Sequence, residues 1–177
     1  FETSIAELSV LGEYYFRNLY SNKFSPYVFG GLAVYKFNPY AYDASGQKVF
    51  LKPLSTEGQG IAGYPKPYSL TQFSIPFGGG IKYALNNNLR IGFELGIRKL
   101  FTDYLDDVST RYSDPFAYTN PANNFPVALL NDALEFRDRQ IIPKTVAGGK
   151  RGSPSQKDAY FSFNVKLSLV IGRERIR

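Results

Sequence analysis

The sequence contains no cysteine, no histidine and no methionine. Without cysteine no disulfide framework can form, and without histidine as well a zinc site is disfavoured. The same two absences exclude Ser-His-Asp and Cys-His catalytic sets. No run of about 18 uninterrupted apolar residues occurs, which argues against a membrane-spanning helix. Because position 1 is Phe and not Met, we expect further sequence before it.

The composition is that of one folded domain of ordinary size, covering residues 1–177. Of the 177 residues, 44% are apolar and 16% are aromatic, so disorder throughout the chain is not expected. The formal net charge is +6, but Lys and Arg are spread over the whole chain and form no basic stripe. The sequence therefore gives no support for nucleic acid as a partner.

Five segments alternate apolar and polar residues with the period of two that is typical of β-strands. The clearest reads LRIGFELGIRKLF, with one oily face and one charged face. In the second segment both faces are mostly apolar until Lys36, which leaves its facing open. The five segments are Thr3–Arg17, Pro26–Asn38, Thr71–Leu85, Leu89–Phe101 and Ala159–Ile171.

The connections between these segments alternate in length. Residues 18–25 and 86–88 are short, whereas residues 39–70 and 102–158 are long. Antiparallel strands place alternate connections at opposite ends, so both short turns are expected at one end and both long loops at the other. Outer-membrane barrels have this asymmetry, with short periplasmic turns and long extracellular loops.

The polar faces of the predicted strands carry charges of both signs. In a membrane barrel these side chains point into the lumen and form a network of ion pairs, since an unpaired buried charge is unfavourable. Four glycines on the same faces, Gly78, Gly80, Gly92 and Gly96, would leave room for them. The predicted lumen network consists of Glu7, Glu13, Arg17, Lys82, Arg90, Glu94, Arg98 and Lys166.

A soluble β-sandwich would show the same alternation, with the charged faces in water. The length of the strands and the asymmetry of the loops favour the membrane barrel. The predicted fold is thus all-β, an antiparallel transmembrane β-barrel. Bacterial barrels of one chain have an even number of strands, starting from eight. We therefore expect an eight-stranded barrel with five strands in this chain and the N-terminal strands missing before Phe1.

The densest acidic group is Asp103, Asp106 and Asp107 at the start of the second long loop. Such carboxylates can ligate Ca²⁺, but the glycine and the spaced oxygen ligands of a calcium loop are absent. We instead expect them to anchor the loop through hydrogen bonds to backbone amides and to Arg111. Further along, the segment from Pro126 to Gln140 predicts a short helix.

No catalytic site, cofactor or metal is expected. The catalytic sets that need His or Cys are impossible, and the interior of an eight-stranded barrel is largely filled by side chains. We therefore predict that the protein is not an enzyme.

The order of several short motifs resembles that of the PorG-like outer-membrane barrels of Bacteroidetes. The most recognisable stretch is DYLDDVS at 103–109, preceded by the strand GFELGIR at 92–98. Supporting pieces are PYVF at 26–29 before Asn38-Pro39, IPFG at 75–78 before Lys82-Tyr83, and KRG at 150–152. The resemblance extends over essentially the whole chain.

This resemblance implies an eight-stranded barrel in the bacterial outer membrane that belongs to the type IX protein secretion system. It implies a structural anchor without catalysis, whose partners are outer-membrane lipid, a periplasmic ring lipoprotein and other secretion-system subunits. Residues on the predicted periplasmic side would make the contact, and their positive charge would favour an acidic ring surface or anionic headgroups. The candidate contact residues are Lys23, Asn87, Arg173, Arg175 and Arg177.

Other interpretations stay open on the sequence alone. The basic residues at the end with the short turns are also typical of the ordinary charge that flanks a membrane boundary. A small ligand-binding or pore-forming barrel unrelated to secretion is an alternative function. A soluble sandwich or a lipocalin-like binder is a third.

Overall fold

The structure is a computed structural model that describes residues 1–139 and 147–171. Within these residues the chain forms six β-strands and two short α-helices. The strands are β1 (Glu2–Tyr15), β2 (Phe24–Tyr42), β3 (Lys48–Phe50), β4 (Thr71–Ala84), β5 (Leu89–Leu100) and β6 (Ala159–Leu169). The helices are α1 (Pro115–Thr119) and α2 (Leu130–Phe136). No described helix is both long and apolar enough to cross a membrane.

The strands form one antiparallel sheet in the order β1-β2-β4-β5-β6, with β3 paired to the end of β2. The all-β prediction is therefore confirmed, and each of the five predicted segments overlaps one long strand. The sequence missed β3, which pairs Tyr40 with Phe50 and Tyr42 with Lys48. A strand of 3 residues is too short to show a periodic pattern.

The chain divides into two compact units. The sheet unit comprises residues 8–34, 73–100 and 159–177, and is described up to residue 171. The loop unit comprises residues 1–7, 35–72 and 101–158, of which 140–146 lie outside the described residues. β1 and β2 contribute residues to both units.

In the sheet unit, apolar side chains alternate with inward-facing residues and remain exposed. Leu8 is 81% exposed, Phe163 is 69% exposed and Leu95 is 58% exposed. The same face carries large apolar residues from all five long strands. They include Val10, Tyr14, Val28, Leu32, Phe73, Ile75, Phe77, Ile81, Tyr83, Phe93, Phe161, Val165, Leu167 and Leu169.

The structure settles the facing of β2. Tyr27 and Phe29 are buried, whereas Val28 and Leu32 are exposed. Glycines on β4 make this possible. A Cβ on Gly80 would lie 2.8 Å from the Tyr27 ring, and one on Gly78 would lie 2.8 Å from the Phe29 ring.

Gly78 and Gly80 therefore make room for aromatic rings. At Gly96 a built Cβ would meet the Arg98 guanidinium first, at 2.5 Å, and the Phe29 ring at 3.0 Å. Only Gly92, of the four glycines predicted to line the lumen, has lysine stems as its nearest side chains, those of Lys82 and Lys166.

The loop unit has the usual pattern of a folded domain in water, with apolar residues inside. Asp114 caps the N-terminus of α1 by accepting a hydrogen bond from the Phe116 amide at 2.9 Å. α2 is shorter than the helix predicted from Pro126 and is preceded by a 3-10 turn over Val127–Leu129. The core of this unit consists of Leu51, Leu54, Ile61, Ala117, Tyr118, Ala133 and Phe136.

Candidate functional site

A chain of ion pairs crosses the inner face of the sheet unit. Glu13 of β1 lies between two lysines, with Lys82 Nζ at 2.8 Å and Lys166 Nζ at 3.4 Å. Lys166 also pairs with Glu94 of β5. β1 and β6 are not neighbours in the sheet order. Because Glu13 and Lys166 nevertheless touch, the sheet of this unit must curl about its inner face.

Glu94 is the most buried member of this network, at 2% exposed. Its carboxylate accepts hydrogen bonds from Tyr27 Oη at 2.9 Å and from Asn164 Nδ2 at 3.3 Å, in addition to the Lys166 contact. A buried carboxylate is tolerated when a cation and further donors satisfy its oxygens. The network therefore stabilises the inner face and leaves Glu94 fully engaged.

The ion pairs directly join Glu13, Lys82, Glu94 and Lys166 of the predicted network. Arg98 donates to Ser162 Oγ, which also accepts from Asn164, a donor to Glu94. The Arg90 guanidinium lies over the Tyr20 ring, 4.8 Å from its centroid.

Arg17 and Glu7 are the remaining two. Arg17 is exposed and follows the end of β1; among the described residues, its backbone N–H donates to Ser25 Oγ at 3.0 Å and its side chain joins no ion pair of the network. Glu7 is half-buried in the part of β1 that belongs to the loop unit.

At the turn end of the sheet unit, the two short connections lie side by side. The Ala84 amide donates to the Lys23 carbonyl at 2.7 Å. Between the turns is a cavity of about 310 Å³ whose lining includes Lys23, Asn86 and Asn87. Both predicted contact residues of the turns, Lys23 and Asn87, are exposed. The other three, Arg173, Arg175 and Arg177, lie outside the described residues.

The acidic group of the second long loop lies in the loop unit. Asp107 is completely buried, and its carboxylate accepts hydrogen bonds from Thr56 Oγ1 at 2.5 Å and from Tyr68 Oη at 2.7 Å. Burial raises the pKa of Asp107 to about 6, although both hydroxyls and the nearby Arg151 oppose the rise. Asp107 thus ties the second long loop to the first.

The other two predicted anchors have different surroundings. Asp106 Oδ1 accepts from the Val108 amide at 3.0 Å, and burial raises the pKa of its carboxyl. Asp103 is 6% exposed. Among the described residues, the predicted bond from Arg111 to these carboxylates is not formed, and the Arg111 guanidinium donates to the Gly148 carbonyl at 3.1 Å. Within the described residues, no group of three or more acidic side chains is arranged to hold a metal.

Sequence analysis missed the most heavily engaged carboxylate of the loop unit, Glu57. It is completely buried and accepts hydrogen bonds from the amides of Ser109, at 2.9 Å, and Thr110, at 3.0 Å, and from Thr110 Oγ1 at 2.7 Å. Arg151 Nη1 lies 3.5 Å from the same carboxylate. Glu57 and Arg151 stand in loops without periodicity, far apart in sequence, so no sequence signal pairs them.

The Glu57 cluster supports one wall of an open cavity of about 780 Å³. Two tyrosines, Tyr64 and Tyr112, and two cations, Arg111 and Lys150, are among its lining residues. The Tyr64 hydroxyl accepts a hydrogen bond from the Asp114 amide at 3.0 Å, which fixes the ring at the cavity. The size of the cavity lies within the range of small-molecule sites, about 300–1,000 Å³.

Comparison of the chain with family models, curated proteins and solved structures finds no match. The resemblance to PorG-like barrels therefore stays a prediction from the sequence.

Proposed function

We propose that this protein is an outer-membrane β-barrel that acts, without catalysis, as a structural anchor of the type IX protein secretion system. The observation that supports the membrane location is the exposed apolar face of the sheet unit. The proposed role in secretion depends on the sequence resemblance and on the residues of the turn end.

The apolar face is far larger than a surface in water normally allows. Large apolar side chains stand on it at every second position of β6, from Phe161 to Leu169. The largest apolar patch on a soluble monomer is about 300–600 Å². A face to which all five long strands contribute points to an apolar medium, and lipid hydrocarbon is such a medium.

The inner face supports the same proposal. Glu13, Lys82, Glu94 and Lys166 satisfy one another away from the apolar face. Charged interiors with apolar exteriors are the inverse of a soluble sandwich and are typical of outer-membrane barrels. Backbone groups at a sheet edge have no hydrogen-bond partner in lipid, so a barrel must close. In the proposed eight-stranded barrel, the edge strands β1 and β6 are both paired.

The proposed partner surface is the turn end. Lys23 and Asn87 are exposed there on adjacent turns, and Arg173, Arg175 and Arg177 follow β6 in the sequence. In the orientation expected for an outer-membrane barrel, the short turns are periplasmic. A positive periplasmic end favours an acidic protein surface, which the ring lipoprotein and other secretion-system subunits would supply.

The first experiment separates membrane insertion from partner binding. The protein is isolated from the native envelope after a high-salt and alkaline wash, extracted in mild detergent and analysed by mass spectrometry with whatever co-purifies. We expect it to resist the wash, to need detergent, and to carry secretion-system subunits. Recovery in the aqueous fraction without detergent would contradict the barrel.

A charge reversal tests the anchor role on its own. Lys23→Glu is expected to reduce the co-purifying subunits, while the matched change Lys48→Glu in the loop unit leaves them unchanged. Both variants should still require detergent. If no secretion-system subunit accompanies the wild-type protein, the anchor proposal is wrong even though the barrel stands.

The second candidate is a ligand-binding barrel. Tyr27, Phe29 and the ion pairs occupy the inner face through which a pore would have to conduct. The structure therefore gives little support for a conducting pore. The cavity of about 780 Å³ in the loop unit is the observation that favours ligand binding.

A further inference from the structure

We propose that the cavity of the loop unit binds an acidic saccharide, with Arg111 and Lys150 holding its anionic group and Tyr64 and Tyr112 contacting its sugar ring. This inference concerns the loop unit alone. It goes beyond the anchor role and does not depend on membrane insertion.

Two segments of the second long loop build the cationic wall of the cavity. Arg111 and Lys150 are partners in an isolated antiparallel bridge. The flanking hydrogen bonds run from the Tyr112 amide to the Gly149 carbonyl and from the Arg151 amide to the Thr110 carbonyl, each at 2.9 Å. This is the arrangement of a non-hydrogen-bonded pair, in which the two opposite side chains are closest.

Like charges placed directly opposite each other destabilise a pair of strands. Arg111 and Lys150 are both exposed and both line the cavity. Among the described residues, neither forms an ion pair with a carboxylate. An anion bound between them would remove the repulsion and accept hydrogen bonds from both. The pair therefore points to a ligand that carries a carboxylate or a phosphate.

The wall does not depend on the ligand for its shape. Glu57 accepts hydrogen bonds from the Ser109 and Thr110 amides, which fixes the first segment. Arg151, next to Lys150, contacts the Glu57 carboxylate and donates to the Asp107 carbonyl at 3.1 Å. A buried, satisfied network of this kind preorganises a binding surface.

The rest of the lining favours a sugar over a simple anion. The Tyr64 ring is held against Gly58, where a built Cβ would lie 2.5 Å from it, and Tyr112 is half-buried in the same cavity. Aromatic rings give a sugar an apolar surface on which to pack. Asp114 also lines the cavity, and its carboxylate would repel a bare anion but can accept hydrogen bonds from hydroxyl groups. A hydroxyl-rich ring with one anionic group satisfies both features.

The test uses isothermal titration calorimetry on the full chain in detergent. The probes are an oligosaccharide of galacturonic acid, its neutral methyl ester and glucose 6-phosphate. We expect the galacturonate or the sugar phosphate to bind at least about tenfold more tightly than the neutral ester, since each charge-assisted hydrogen bond contributes enough for such a factor. Which of the two binds identifies the anionic group.

Variants assign the residues. Arg111→Gln and Lys150→Gln are each expected to weaken binding about tenfold, whereas Lys48→Gln, at an exposed position outside the cavity, leaves it unchanged. Tyr64→Leu should weaken binding and Tyr64→Phe should retain it. Near-ultraviolet circular dichroism checks that each variant keeps its fold.

Several outcomes would overturn the proposal. These are equal binding of the neutral ester, unchanged affinity in both charge variants, or no binding of either acidic probe at millimolar concentration. Binding of inorganic phosphate as tightly as glucose 6-phosphate would also overturn it, because the sugar ring would then contribute nothing.

Discussion

The sheet unit and the loop unit of this protein are arranged in opposite ways. In the sheet unit large apolar side chains are exposed, while Glu13, Lys82, Glu94 and Lys166 face inward. In the loop unit the apolar residues form a core, and polar residues such as Asn124 and Glu135 lie outside. One chain therefore follows two opposite burial patterns, and the proposed membrane location of the sheet unit would account for the difference.

Both units nevertheless bury carboxylates, and they satisfy them differently. In the sheet unit the partners are lysine side chains from other strands. In the loop unit Glu57 accepts from backbone amides, because loops leave amides without partners in a sheet ladder. Asp107 accepts from hydroxyls. The comparison teaches that the strands supply charged side-chain partners at regular spacing, whereas the two long loops supply each other with backbone amides and hydroxyl groups.

The largest effect is expected at Glu57 of the loop unit. Glu57→Ala removes the acceptor of two amides and leaves Arg151, whose side chain is 11% exposed, without its carboxylate. Loss of one partner of a buried ion pair lowers the free energy of unfolding by about 3–5 kcal/mol. Hydrogen exchange of the Ser109 and Thr110 amides should rise strongly, while amides of β5 stay protected.

The matched control for this change is Glu135→Ala. Its side chain is 41% exposed and pairs with Arg139 on the surface. An exposed pair contributes about 0–1 kcal/mol, so exchange should hardly change. Equal effects of the two substitutions would show that Glu57 does not organise the loop unit.

The second-largest effect on stability is expected on the apolar face of the sheet unit. Val165→Arg places a charge at the middle of β6, where the wild-type side chain is 62% exposed. In water this change would be mild, but at the midplane of a bilayer it lowers the free energy of unfolding by about 2–4 kcal/mol. Denaturant unfolding from lipid vesicles measures it.

Val127→Arg in the loop unit is the control, since Val127 is 83% exposed. A surface substitution of this kind changes stability by about 0.5 kcal/mol or less. If Val165→Arg were equally harmless in vesicles, the apolar face would not contact hydrocarbon.

The packing of the inner face can be tested at Gly80. A Cβ there would lie 2.5 Å from the Phe93 carbonyl oxygen and 2.8 Å from the Tyr27 ring. Gly80→Ala is therefore expected to destabilise the sheet unit by about 1–3 kcal/mol, as overpacking does. In Gly12→Ala, the nearest atom lies at 3.9 Å, so stability should hardly change. A neutral Gly80→Ala would contradict the placement of Tyr27.

The smallest expected effect is a pH dependence of the stability of the loop unit. Burial raises the pKa of Asp107 to about 6 from its ordinary value of 3.8. The folded state then holds this proton more tightly than the unfolded state, so stability is greatest at low pH and falls as pH rises toward the folded pKa. Between about pH 5 and pH 6.5 the expected loss is about 1 kcal/mol. Hydrogen exchange in the loop unit at several pH values measures it.

Asp107→Asn removes the titrating group and should flatten this dependence. Burial also raises the pKa values of Asp106 and Asp158, so part of the slope should remain. An unchanged slope in Asp107→Asn would show that Asp107 does not cause it.

Much of the sheet was predictable because side chains at every second position of a strand point to the same face. The alternation in Leu89–Phe101 placed β5 to within one residue of its observed end, and inward-facing Glu94 and Lys166 followed from the same period. Arg17 was misassigned because alternation continues past the point where β1 ends at Tyr15. The facing of β2 was not predictable, since Tyr27 and Val28 are both apolar and only the glycines of β4 decide which of them is inside.

The sequence by itself determined the five long strands, the antiparallel arrangement of consecutive strands and, in every long strand except β2, which face is apolar, because periodicity is a local property of the backbone. Only the tertiary structure decided which charges meet. Glu13 and Lys166 come from opposite edges of the sheet, and Glu57 and Arg151 come from different long loops. Such pairs depend on how the chain folds back on itself in space, and no local pattern in the sequence encodes which distant residues come into contact.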